Sequence, residues 1–276
     1  MNDITFVIFT FNEEARIERV IKNLRSFGKI LIADNSSTDG TEKIALSYGC
    51  DFLVRDPEAS YVPENEIVAK QVYEAVTTNW LYWGYADEML EKKTLEEIAR
   101  VITSHSDKYD IISIEKKNYN YGVFCHNVFH SRTNRIFKKY AIDFSNNKIH
   151  GLGKPAVNDN RIFALDDQFF VHHFSSHTAY GYINTINKYT ELEAEKDSKY
   201  DRSMWSVFWL VTRRMLKNYI IDGGYKAGYA GMQAILMHLC YQWAINIKRY
   251  EKENNFDRAT IEEKNNQVRN KILKEF

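Results

Sequence analysis

The first hundred residues alternate between short runs of β-branched and aromatic residues and longer stretches with helical spacing. That alternation restricts this part of the chain to a parallel sheet joined by crossover helices. "ITFVIFT" (4–10) reads as a buried strand. "FNEEARIERVIKNLRSFG" follows as a helix with Ile17, Val20, Ile21 and Leu24 on one face and Gly28 as its stop. "KILIAD" is the next strand, "NSSTDGT" a turn and cap, and "TEKIALSYG" a short helix ending at Gly49. "DFLVRD" repeats the strand signal. "PENEIVAKQVYEAVTT" repeats the helix signal, with Ile67, Val68, Gln71, Val72 and Ala75 at helical spacing, and "WLYW" is a fourth strand with a turn expected at Gly84. Right-handed crossovers keep such strands parallel, so every strand-to-helix turn lies on the carboxyl edge of the sheet, where open α/β folds bind their ligands. Asn12, Glu13, Asp34, Asp56 and Asp87 are therefore expected on one rim.

After "LEEIARVITS" the pattern loosens into the strand-like runs "YDIISI", "NRIFKKYAIDF" and "RIFALDDQFFVHHF", spaced by polar loops such as "NNKIHGLGKPAVND". From Tyr180 onward the spacing is helical. "AGYAGMQAILMHLCYQWAINI" carries no charge and approaches the length of a membrane span. Gln233, His238, Gln242 and Asn246 interrupt it, three of them at helical spacing, so a core or interface helix is expected. The Trp, Phe, Arg and Lys residues of 204–219 leave two readings open: a peripheral membrane contact, and ordinary helix packing with snorkelling cations. The expected organisation is a core over 1–178, with a nucleotide-binding half to about 104 and an acceptor-side half from about 105, then a helical extension over 179–276.

Lysine plus arginine equals aspartate plus glutamate, 37 each, so no global field recruits nucleic acid. Three scattered cysteines (Cys50, Cys125, Cys240), with no CxxC pair and no secretory pattern at the start, lead to the expectation of a reducing cytosol. No GxGxxG and no GxxxxGK[ST] occurs, which leaves dinucleotide and P-loop readings without support. Taken alone, "TFNEE" is a helix cap, with Asn12 accepting from first-turn N–H groups and Glu13 and Glu14 complementing the dipole. Taken alone, "IADNSSTDGT" is either a good turn or a nucleoside pocket in which the Asp34 carboxylate accepts from a base or ribose.

In order along the chain, "TFVIFTFNEE", "ILIADNSSTDGT" and "WLYWGYADEML" resemble the amino-terminal signature of inverting family-2 glycosyltransferases of the GT-A fold. "NRIFKKYAIDF", "KIHG", "VHHFSSHTAYGYINTINKYT" and "YIIDGGYKAGYAGMQAILM" resemble the subgroup of bacterial lipooligosaccharide-core glucosyltransferases. The resemblance implies a Rossmann-like mixed sheet, mostly parallel in its first half, with a helical carboxyl-terminal extension. It also implies transfer of a sugar, with inversion, from a nucleotide-diphosphate donor of the UDP type to a glycan or glycolipid acceptor. Such work belongs to cell-surface polysaccharide or lipooligosaccharide synthesis, in the cytoplasm or on the cytoplasmic face of the inner membrane. By the same resemblance Thr10, Asn12 and Glu13 fall on the first donor-binding motif and Asp34 on the acid that holds the nucleoside. The Asp-x-Asp motif falls on Tyr85, Ala86 and Asp87, with Glu88 beside it. Asp87 inherits the role of ligand to Mg²⁺ or Mn²⁺, His173 that of a histidine near diphosphate or metal, and Arg135 that of an arginine fork for a diphosphate or acidic acceptor. His172 is expected on the other side of its strand.

Two departures fall on catalytic positions. Tyr85 replaces the first acid of the motif, and a phenol with a pKa near about 10 cannot act as an anionic ligand at neutral pH, so metal dependence weaker than the family norm is expected. His150-Gly151 stands where the subgroup has His-Glu, which leaves His150, Asp159 or Asp143 as the base, with a structural loop histidine as the plain alternative. The rival to an active transferase is a protein of the same fold that binds sugar nucleotide or glycan without transfer. Arg132 is expected in a surface salt bridge, and the His126/His130 pair is set aside as a metal site because no HExxH accompanies it.

Overall fold

The computed structural model describes residues 3–56, 62–145, 147, 151–176, 178–196 and 203–275. They fall into two compact units, Met1–Ser175 and Ser176–Phe276. The first unit opens with β1 (Ile4–Thr10), α1 (Ile17–Leu24), β2 (Lys29–Asp34), α2 (Thr41–Ser47), β3 (Asp51–Val54), α3 (Glu66–Ala75) and β4 (Trp80–Tyr85). It continues with β5 (Glu88–Leu90), α4 (Lys92–His105), β6 (Ile111–Asn120), β7 (Val123–Phe124) and β8 (Ser131–Lys138). The short strands β9 (Ile142–Asp143), β10 (Lys154–Pro155) and β11 (Ile162–Ala164) precede β12 (Phe170–Ser175).

The main sheet runs β3-β2-β1-β4-β8-β6-β12-β5. Its first four strands are parallel, with Thr10 opposite Asp34 and Phe9 opposite Tyr85. β8 enters antiparallel to both β4 and β6, and β12 runs parallel to β6 and antiparallel to β5, so the second half is mixed. Alternating residues of β1 feed two cores, as the period of two in a strand requires. Phe6 and Ile8 pack with Ile17, Val20 and Ile21 of α1 and Ile98 of α4. Val7 and Phe9 pack with Val68 and Val72 of α3 and with Leu81 and Trp83 of β4. Each fully buried side chain of this size contributes about 1.5–3 kcal/mol relative to exposure.

Several local expectations change. Gly84 is not a turn: it lies inside β4, and a Cβ there would fall 2.1 Å from Cε1 of Tyr82, so the glycine makes room for that ring. The turn comes at Ala86 and Asp87. Gly28 does not stop α1, which ends at Leu24; a Cβ at Gly28 would fall 2.5 Å from the Ile4 carbonyl oxygen, so the residue serves the close approach to β1. On α3 the buried stripe is Val68, Ala69, Val72 and Tyr73, while Ile67 and Ala75 are exposed. Asn65 fixes the start of this helix by accepting from the Val68 N–H, and the Tyr73 ring packs edge-on against Tyr140, which outweighs the small Ala75.

The second unit is helical: α5 (Ala179–Lys196), α6 (Met204–Leu216), a π-helical turn (Lys217–Ile221), a 3-10 turn (Gly224–Ala227), α7 (Gly228–Glu253) and α8 (Arg258–Leu273). Lys248 of α7 binds Glu191 of α5 at 3.0 Å and the Asn187 side chain at 2.8 Å. Gln233, Ile235 and Leu239 lie on the buried side of α7. No helix among the described residues is long and apolar enough to cross a membrane.

Candidate active site

The carboxyl ends of β1 and β2 are tied by one carboxylate. Asp34 is 2% exposed, and its Oδ1 accepts from the hydroxyls of Thr10 and Ser37, both at 2.6 Å, while Oδ2 accepts from the Ser37 N–H at 2.6 Å. The loops that follow are zipped together. Asn12, in the left-handed region at φ 55°, donates its N–H to the Ser37 hydroxyl and accepts from the Thr38 N–H at 2.9 Å. The Glu13 N–H donates to Thr41 Oγ1, the Glu14 N–H to Asp39, and the Gly40 N–H to Glu14. The capping expectation for "TFNEE" therefore fails: α1 begins after Arg16, and the polar side chains bridge two loops instead. Glu13 also grips Arg16 through both oxygens at 2.6 Å; burial pushes its carboxyl up against the downward pull of Arg16.

Next along the rim is the turn after β4. Ala86 is buried, and Asp87 Oδ2 lies 3.2 Å from Nε2 of His173, whose Nδ1 meets Asn118 Oδ1 at 2.9 Å. Strand pairing builds this triad, because His173 of β12 stands beside Asn118 of β6 in a parallel register. Burial raises the Asp87 carboxyl, but the hydrogen bond and charge of His173, with Arg16 and Lys116, outweigh it and hold the group below the usual value. His172, one residue earlier on the strand, meets the Tyr119 hydroxyl at 3.0 Å and Glu91 at 3.2 Å instead.

Glu88 and Arg135 sit beneath. Arg135 is 4% exposed; its Nη1 donates to Glu88 Oε2 at 2.7 Å and to the Trp83 carbonyl at 3.2 Å. The expected fork for a diphosphate is thus committed internally, because the buried Glu88 carboxylate requires a partner. Tyr85 caps this pair. Its ring lies 5.4 Å from the Arg135 guanidinium and 6.0 Å from the Phe9 ring, and its N–H donates to Glu88 Oε2 at 3.3 Å. An aromatic face therefore covers the Arg135 cation.

Two charged groups at this rim were not legible in the sequence. Lys116, two residues before Asn118 on β6, is pushed down by burial and Arg135 and pulled up by Glu88, Asp87 and Glu64, for a net lowering. Glu64, in the loop before α3, is raised to about 7 by burial against the pull of Arg135 and Arg55. Arg132 bonds to Asp167 at 2.5 Å. His126 begins a turn over residues 126–129, and His130 follows it directly before β8. Asp143 is exposed and held below its usual value by the N–H of Ser145. Asp159 is exposed in a 3-10 turn, and His150 lies outside the described residues.

Among the described residues no group of three His, Cys, Asp or Glu converges as a metal site. Asp87 and His173 bring one carboxylate and one imidazole side by side, donors that would suit a divalent ion of the kind held by one or two carboxylates together with substrate phosphates.

A parallel four-strand start, a mixed continuation and an acid-lined carboxyl rim define a mixed α/β protein of the GT-A fold. The Glycosyl transferase family 2 description matches residues 5–157, more than half of the chain, and the chain belongs to that family. It is similar to an uncharacterized glycosyltransferase of Rickettsia typhi, 25% identical over 244 residues covering 81% of this chain and 80% of that one. It is also similar to the lipopolysaccharide core biosynthesis glycosyltransferase LpsC of Rhizobium meliloti, 24% identical over 256 residues, 89% and 91% of the two chains. The crystal structure of S. aureus TarS 1-349 in complex with UDP-GlcNAc shares the fold, with a TM-score of 0.50, 14% identity and coverage of 93% and 74%.

Proposed function

We propose that the chain transfers a sugar, with inversion, from a UDP-type donor to a glycan or glycolipid acceptor of the bacterial cell surface. The observation that carries this is the Asp87–His173–Asn118 arrangement on the rim that also holds Asp34 and Thr10. Asp34 and Tyr85 end strands on either side of β1, roughly 10 Å apart at ordinary strand spacing, a separation suited to a nucleoside at one end and its diphosphate at the other. The acceptor class is supported by the name of the R. meliloti relative, and the donor class by the UDP-GlcNAc bound to TarS.

In this reading Asp34, braced by Thr10 and Ser37, holds the nucleoside, and the zipped Asn12 and Glu13 loop forms the wall of its pocket. His173 fixes the orientation of Asp87, and Lys116 adds positive charge where the leaving diphosphate gathers negative charge. Asp87 and His173 would hold Mg²⁺ or Mn²⁺, which would supply Lewis-acid neutralisation of that same charge. Tyr85 presents a π face to the ribose, and His150 or a nearby acid, Asp159 or Asp143, takes the acceptor proton.

Calorimetric titration of UDP into wild type and Asp87→Ala, with and without Mn²⁺, tests the reading. Metal is expected to tighten wild-type binding by on the order of ten-fold and to leave the variant unchanged. Absence of UDP binding under every condition overturns the donor assignment. Tyr85 at the first motif position favours one second reading, a non-transferring binder. Bound UDP-sugar that is neither hydrolysed nor transferred would select it.

A further inference from the structure

We infer that the outward face of α6 and the turns after it dock on an anionic phospholipid surface. Val207, Val211 and Asn218 are buried, while Trp205, Phe208, Trp209 and Leu216 recur at spacings of three, four and seven on the opposite side. Trp205 is 80% and Trp209 68% exposed. The surface continues past the helix to Ile221, 77% exposed, and Tyr229, 79% exposed. So many exposed apolar side chains, two of them tryptophans, call for a partner, since soluble chains rarely expose large apolar patches.

Charge decides which partner. Between Ser203 and Ile247 the cations are Arg213, Arg214, Lys217 and Lys226, and the single acid is Asp222. Asp222 is buried and taken by Lys217 at 2.6 Å, and Arg214 is half-buried near His238 of α7, so the exposed Arg213 and Lys226 are the cations that, among the described residues, face no carboxylate partner. The rest of the chain must then be net negative, because the whole is balanced at 37 and 37. A second copy of this face would bring like charges together, which disfavours self-association. An anionic lipid surface answers both features: tryptophan and tyrosine settle at the headgroup level, and arginine and lysine meet the phosphates. No described helix is long and apolar enough to cross a membrane, so the helix lies along the surface instead.

The test is cosedimentation of the full chain with vesicles of phosphatidylcholine alone and of phosphatidylcholine containing about 30% phosphatidylglycerol. Binding to the anionic vesicles is expected to be on the order of ten-fold tighter and to weaken at high salt. Trp205→Glu/Trp209→Glu should abolish it, and Arg213→Ser/Lys226→Ser should remove the preference for phosphatidylglycerol. Both pairs are at the surface, and an unchanged thermal midpoint confirms that they fold. Equal partitioning onto the two vesicle types, wild-type binding by the tryptophan variant, or a dimer that the tryptophan variant dissociates without any vesicle binding would each overturn the inference. None of these outcomes bears on UDP binding, so the transferase reading stands or falls separately.

Discussion

Tryptophan has opposite fates in the two units. Trp80 and Trp83 of β4 are fully buried, whereas Trp205 and Trp209 of α6 are the most exposed of their kind in the chain. The cause is layering. β4 is central in a sheet covered on one face by α1 and α4 and on the other by α3, so both side-chain directions end in core. α6 has a buried stripe of Val207 and Val211, continued by Asn218 of the π-helical turn, and an outward stripe of exposed side chains. A high aromatic content therefore builds a core in one unit and displays a surface in the other.

The sharpest way to break that contrast is one substitution made twice. Trp83→Ala should cost about 3–5 kcal/mol in urea unfolding, and Trp209→Ala within about 0.5 kcal/mol of nothing. Equal costs would mean that the α6 face is packed. Arg135→Met should come next, at about 3 kcal/mol or more, because it strands the Glu88 carboxylate in the core. The double variant Arg135→Met/Glu88→Leu should recover most of that loss, and a failure to recover it would show that Arg135 acts beyond this pair. The smallest effect concerns Glu64. Its carboxyl is raised from 4.5 to about 7, so the stability linked to its proton is full below pH 4.5 and is lost as pH rises through 7. Wild type should lose roughly 2 kcal/mol across that window relative to Glu64→Gln. Parallel pH profiles for the two proteins would contradict the assignment.

The parallel half of the fold was legible almost residue by residue: "ITFVIFT" and "KILIAD" coincide with β1 and β2. Apolar runs bounded by turn residues leave little freedom there. β6 was legible only as far as Ile114, since "EKKNYN" continues the strand with polar side chains. Lys116 and Asn118 were missed for that reason, although their spacing of two places them on one face of a strand. The rim itself followed from topology alone. What each rim residue touches did not, because contacts such as Arg135 with Glu88 join positions 47 apart in sequence. Asn12 as a cap was the natural local choice, and a neighbouring loop with a better set of donors and acceptors overrode it.

That zipper between the β1 and β2 loops has a mechanical consequence. Six hydrogen bonds join residues 12–14 to residues 37–41, so neither loop can swing away without unfastening the other. A molecule arriving there meets a cradle already set, and little ordering entropy is lost on its arrival. On the proposed reading, discrimination at that end rests on shape from the first encounter, and adaptation to the sugar or acceptor falls to the opposite bank of the rim.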